Sequence, residues 1–418
     1  MMSSPQPLFA KLLLAALTLA LAFPSQAADT ILALPGLAEP LSFQVESPKG
    51  QNLAPGTQLT LVEAGHPDNR PVAQAVPLVT TDGLPAEGKT ALVTTITPGQ
   101  RVGKERRFKL STTEKPSENP SKLELTDLND KSIQIADGNQ PVLVYNHGVI
   151  TKEDIPETEH RRSRACYIHP VFGLSGEVLT DDFPRDHYHH HGIFWTWPHV
   201  SVDGKEHDLW AGNTIRQQFV NWLARESGPA AAVLGVENGW FVGDKNVMIE
   251  RVWLRVYHAV GDSRAIDIDL TFIPTDKPVT LWGAAGKSYG GLTMRFHPPA
   301  RRDPATVITT PSGVTPSDLT TTILRWSDFT SKFDGRDKPS GAAIFISPTH
   351  PDYPPEWLLR HYGPLCVGWP GVYSETLQPG KPVEMSYRIW IHKDAVGTST
   401  LTRAYSAYLA GLKATWMQ

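Results

Sequence analysis

Long stretches of this chain alternate apolar and polar residues with a period of two, the mark of β-strands with one face in a core. In "AIDIDLTF", Ile266, Ile268, Leu270 and Phe272 fall on one face, and Asp267, Asp269 and Thr271 on the other. The segment before it, "NVMIERVWLRVYHAV", alternates as well, with Val252, Leu254 and Val256 opposite Arg251, Trp253, Arg255 and Tyr257. Gly261-Asp262 lies between the two and predicts a hairpin turn, which sets Arg255 roughly opposite Asp269 as a cross-strand ion pair. Near the C-terminus, Pro379-Gly380 predicts a turn followed by the strand in "VEMSYRIWIHK". "STLTRAYSAYLAGLKA" predicts a terminal helix, and "TIRQQFVNWLARES" one or two further helical turns.

Earlier, short apolar runs broken by Pro and Gly ("ILALPG", "TQLTLVEAG", "TALVTTITPG") predict a small β-sandwich over residues 28–111. Residues 112–122 are polar, carry prolines and read as a linker. Residues 123–418 then form a larger, mostly antiparallel β domain, long enough to need two stacked sheets, a β-supersandwich. The fold class is therefore mainly β. Residues 1–27 carry Lys11, an apolar run over residues 12–23 and small residues at Ser25-Gln26-Ala27. This is the order of a signal peptide, so the mature chain is expected to start near Ala28, in the periplasm or outside the cell. The apolar run is too short to span a bilayer, and no later segment approaches a spanning helix.

Composition narrows the classes. A net charge of −4 offers no basic field for nucleic acid. The 12 tryptophans supply flat apolar faces that suit both cores and sugar rings. Cys166 and Cys366 are too far apart for a CxxC site; a disulfide and two buried thiols both remain open.

The densest candidate chemistry is "DDFPRDHYHHHGIFWTW". Read as an extended strand, it sends His187, His189, His191, Ile193, Trp195 and Trp197 one way, and Tyr188, His190, Phe194 and Thr196 the other. Two imidazoles at i and i+2 stand about 7 Å apart, within reach of one divalent metal ion, with Asp186 or Asp182 to complete the site. His187 and His189 could equally serve as acid and base, since imidazole titrates near neutral pH, and both would protonate below roughly pH 6. His169 in "CYIHPVFG" is a further ligand or catalytic candidate. Arg164, in "RRSRACYI", suits bidentate recognition of a substrate. Trp195 and His191 are candidate substrate contacts. Tyr289 precedes two glycines that would let backbone approach a ligand closely.

The stretch "RSRACYIHPVFGLSGEVLTDDFPRDHYHHHGIFWTW", with "SYGGLTMRF" downstream, resembles the bacterial family labelled PmoA-like, over roughly residues 143–392. That resemblance implies a secreted protein of bacteria rich in carbohydrate-degrading genes. The family's label implies a metal-dependent oxygenase, yet particulate methane oxygenase is an integral membrane complex and this chain lacks a spanning helix. "YIHPVFGL" and "LQPGKPVEMSYRIWIH" are similar to galactose-mutarotase-type supersandwiches, which bind sugars. Where mutarotases carry a catalytic Glu, this chain has Gly368, which moves the expected chemistry to the histidines. Three functions follow as expectations: an exported carbohydrate-active enzyme performing hydrolysis, elimination or epimerisation; a carbohydrate-binding protein with Trp195 and Trp197 as a platform; and a metal-dependent oxygenase.

Overall fold

The computed structural model describes Met1 and residues 30–417, except 52, 100, 101, 119 and 302. The expected signal peptide, Met1 apart, lies outside the described residues. The chain is mainly β, built from antiparallel sheets, with one α-helix at Thr398–Gly411 among the described residues. None of the described helices is long and apolar enough to cross a membrane.

Two nine-stranded antiparallel sheets stack to form the large unit, and their facing sides share one hydrophobic core. Ile266, Ile268, Leu270 and Phe272 all lie in it, as their alternation predicts. The opposite face of that strand is not bathed in solvent. Asp267 and Thr271 are buried there, because the N-terminal six-stranded sheet covers them. That sheet sets Val76, Ala91 and Val93 against Trp253, Tyr257 and Ala265. Its other face takes in Leu32, Phe43, Phe108 and, from the terminal helix, Ala407. At the junction Arg388 grips Asp267 with both prongs, at 2.6 and 2.8 Å, and donates to the Ser42 carbonyl at 2.9 Å.

Two local expectations change. Arg255 pairs in register with Asp267, and Trp253 with Asp269. The turn at Gly261-Asp262 does form, closed by Val260 and Ser263, but the first strand carries one residue more than its partner before Val256 meets Ile266. The Arg255–Asp269 ion pair nonetheless forms, along the diagonal. The segment expected to be helical is instead the strand Arg216–Glu226. Its register shifts between Phe219 and Asn221 and again between Trp222 and Ala224. Each shift breaks the period of two, so Phe219 and Trp222 recur at a helix-like spacing of three.

One sheet positions the candidate site. Its middle strands, Tyr167–Val171, Ile193–Thr196, Gly291–Arg295 and Pro364–Gly368, are direct neighbours. Register sets Ile168 beside Ile193, Ile193 beside Met294, and Arg295 beside Pro364. The segments that enter or leave these strands at that level therefore share one rim: His169, the loop before Ile193, Arg295 with its following turn, and Tyr362. Parity does the rest. Ile168, Ile193, Trp195, Leu292 and Met294 enter the core. Tyr167, Phe194 and Cys366 turn to the outer face, where Trp210 packs over them.

Candidate functional site

The histidine segment is not extended before Ile193. His187 N–H donates to the Pro184 carbonyl and His190 N–H to the His187 carbonyl, each at 2.9 Å, so two tight turns follow one another. Asp182 and His191 pair across the base of the loop. Pro184 starts the turning, and Gly192 locks the exit: a Cβ there would stand 1.9 Å from the Ile168 carbonyl oxygen. Alternation of faces therefore holds only for Ile193–Thr196.

The turns gather three imidazoles instead of two. His187 and His190 stack at 4.6 Å between centroids, and His189 meets them edge-on at 5.6 and 4.8 Å. His190, expected on the opposite face, belongs to the cluster. Tyr362 stacks on the far side of His187 at 5.4 Å. Trp210 lies 5.9 Å from His190 and 4.8 Å from Tyr289. The Nδ1 atoms of His189 and His190 are buried without a hydrogen-bond partner. His187 Nδ1 sits 3.0 Å from Asp186 Oδ2, without the alignment of a hydrogen bond.

Burial sets the charge of these rings. It pushes His189 down to about 3 and His190 well below the usual imidazole range. His187 is also lowered by burial, against the pull of Asp186. The expectation that His187 and His189 protonate near pH 6 is thus corrected for His189, because desolvation penalises its charged form. Beside them, His191 Nδ1 lies 2.8 Å from Asp182 Oδ1, and Tyr167 O–H donates to Asp182 Oδ2 at 2.9 Å. Burial raises Asp182 to about 6 and holds His191 well below its usual range. With Nδ1 engaged, His191 keeps Nε2 for another partner.

The other expected residues divide. Asp186 is at the site, 3.0 Å from His187 and 3.5 Å from both Arg295 and Arg301. His169 stands apart from the three rings, its Nδ1 3.0 Å from Thr180 Oγ1. Tyr289 reaches the cluster only through Trp210. The glycines after it approach the chain itself: a Cβ on Gly291 would lie 2.5 Å from the Val367 carbonyl oxygen. Arg164 is buried and turned inward, donating to the Leu209 carbonyl at 2.9 Å and to Gln217, so it braces the Leu209–Trp210 turn. Trp195 and Trp197 are fully buried in the core and form no surface platform. Both cysteines are free, buried thiols.

Among the described residues, no three His, Cys, Asp or Glu side chains converge on a point that would hold a metal ion. The expected ligands His187, His189 and Asp186 do not form such a group, and the carboxylate faces two guanidinium groups at 3.5 Å.

Against this loop opens a cleft of about 540 Å³, lined by Asp181, Asp186, Arg295, His297, Arg301 and Tyr362 among others. Burial would raise Asp181, but His297, 3.1 Å away, and Arg295 outweigh it and hold the carboxyl low. The same contact raises His297. A larger groove of about 640 Å³ lies on the N-terminal sheet, but its inward carboxylate, Glu63, is already taken by Arg106 and Asn69. Sequence reasoning passed over Trp210, Arg295, His297, Arg301 and Tyr362. Only Arg295 left a signal: it closes the alternating "LTMRF" with a charge on the face opposite Leu292 and Met294.

Residues 132–406 match the model of a family of unknown function, DUF6807. The chain belongs to that family. No curated protein matches it. Among solved structures it is similar to a protein described as a kojibiose phosphorylase from the human microbiome, at 10% identity and a TM-score of 0.31, over 70% of this chain and 33% of that one. It is also similar to a heparinase III, the BT4657 gene product, at 9% identity and a TM-score of 0.22, over 83% of this chain and 36% of that one. The chain spans about a third of the length of each. Likeness this slight carries no argument about function.

Proposed function

We propose that this protein is an exported carbohydrate-active enzyme that performs acid–base chemistry with the His187–His191 loop on a sugar or oligosaccharide held in the adjoining cleft. The observation that carries the reading is the set of clustered imidazoles kept neutral by burial, on a loop whose residues 182–186 line a polar cleft. Histidines that serve packing are normally satisfied, and buried polar atoms without partners need another explanation. Neutral imidazole is the form that accepts a proton, and His187, which Asp186 pulls back toward its usual range, is the better base of these rings, with the more deeply lowered His189 beside it. His187 and His189 are half-buried with Nδ1 hidden, so the edge carrying Nε2 is the accessible one. A neutral ring so placed takes a proton from a substrate hydroxyl, a sugar carbon or water and returns it to the departing oxygen; in epimerisation a second group supplies a proton to the opposite face of the carbon while the first ring keeps the one it took. Asp182 and Tyr167 hold His191 in one tautomer, as a carboxylate does for a catalytic base. The cleft's volume lies within the roughly 300–1,000 Å³ of small-molecule sites. The resemblance to PmoA-like and mutarotase-type proteins, and the signal-like first 27 residues, are part of the same reading.

The test is turnover of a panel of oligosaccharides, neutral and acidic, by the purified protein. Reducing-end release reports hydrolysis, ultraviolet absorbance of an unsaturated product reports elimination, and proton NMR of the ring reports epimerisation. Binding to the panel without any of the three signals would replace the enzyme with a carbohydrate-binding protein.

A further inference from the structure

The cleft contains a buried cation whose hydrogen bonds are unspent. Arg295 is only 5% exposed, and its Nε and Nη1 have no hydrogen-bond partner. Its remaining nitrogen, Nη2, lies 3.7 Å from Asp181 Oδ2 and 3.5 Å from Asp186 Oδ1, distances that give attraction without a hydrogen bond. Arginine stays charged in proteins, and a buried guanidinium normally spends its donors. Arg295 is held in place instead by packing. Its guanidinium lies 5.0 Å from the centre of the Tyr362 ring, and Gly363, at φ +136°, leaves the space that a side chain would fill 3.2 Å from Arg295 Cζ. Arg301, largely exposed, sits 4.8 Å from the same ring and 3.5 Å from Asp186 Oδ2. Two guanidinium groups thus flank one aromatic ring at the cleft, with Asp186 between them.

We propose that the cleft is the seat of an acidic sugar, its carboxylate received by Arg295 and Arg301 over Tyr362. This rests on the carbohydrate reading above and names the class of substrate within it. Lys152, Arg185, Arg295 and Arg301 are matched by Asp154, Asp181, Asp182 and Asp186 around the lining, so no net field selects an anion. The selection lies in the donors. Arg295 Nε and Nη1 are closed off by packing, so a planar carboxylate bridges Arg295 Nη2 and the exposed Arg301 with one charge-assisted hydrogen bond to each, and its ester or alcohol counterpart cannot. The arriving carboxylate displaces Asp186, whose Oδ2 faces both Arg301 and His187, from between the two guanidinium groups.

The test is calorimetric titration with glucuronate-, galacturonate- and mannuronate-containing oligosaccharides, each paired with its methyl ester, and with acetate and sulfate as separate probes. At least one acid should bind tenfold or more tightly than its ester. Arg301→Gln, an exposed change that leaves the core alone, should cut binding of the acid about tenfold and leave the ester unchanged. Arg295→Lys, which keeps charge and loses Nη2, should do the same. Equal binding of acid and ester would overturn this inference and leave the carbohydrate reading standing. Binding of acetate or sulfate, sensitive to Arg301→Gln, with no saccharide bound would keep an anion site and overturn the acidic sugar together with the carbohydrate reading. No binding of any probe would overturn both.

Discussion

His189 offers a sharp test of how the imidazole cluster is held. In the unfolded chain this ring titrates at about 6.5; in the folded protein burial holds it at about 3. Between those values the unfolded state binds a proton that the folded state refuses. Stability from this group is therefore fully present above pH 6.5 and is lost as pH falls toward 3. At pH 5 the unfolded chain lies 1.5 pK units below its titration point, which amounts to roughly 2 kcal/mol of lost stability at 1.36 kcal/mol per unit. His190 and His191 act in the same direction, and Asp182, raised by burial, acts in the opposite one. All three remain in a His189→Gln variant. The measurement is urea unfolding of both proteins at pH 8 and pH 5. The wild type should lose about 2 kcal/mol more than the variant over that interval. Parallel losses would mean that His189 is solvated and that the cluster is not desolvated as described.

Other consequences follow from the packing. Gly192→Ala should destabilise the fold by about 3 kcal/mol or more, since its Cβ would collide with the Ile168 carbonyl; thermal unfolding within experimental error of wild type would refute the close contact. Limited proteolysis should cut first within residues 112–122, and the two pieces should co-elute in gel filtration, because Arg388 and the terminal helix bind the N-terminal sheet; separate elution would show the junction to be weak. Sequencing the mature protein from its native host should give an N-terminus near Ala28 in the periplasm or medium, and an intact Met1 there would remove the export reading.

The sequence carried the strands far better than the site. Alternation in residues 265–272 identified the core face correctly, because a strand with one face buried in a large sandwich has little freedom of register. It could not say that Asp267 and Thr271 would be covered too, since that depends on where a separate sheet docks. Arg216–Glu226 misled because two bulges broke its period. The histidine segment drew attention for the right reason, its density of imidazoles, but an extended reading paired His187 with His189 and expelled His190. Consecutive turns after Pro184 bring in all three. Trp195 and Trp197 could be read from the sequence as core or as a ligand platform, and parity beside Ile193 sends both to the core. Arg295 and Tyr362 come from distant strands that only sheet order makes neighbours, and no local pattern marks Tyr362.

The central claim is that the histidine loop performs chemistry and does not merely fill space. The most direct measurement is turnover by a His187→Ala/His189→Ala variant, on whichever oligosaccharide the wild-type protein converts, together with its melting temperature. Both rings are half-buried, and their Nδ1 atoms have no hydrogen-bond partner to lose. Turnover should fall by about a hundredfold or more, the usual worth of general acid–base catalysis, while the melting temperature changes little. A variant that keeps wild-type turnover, or that fails to fold, would contradict the account and return the cluster to a packing role.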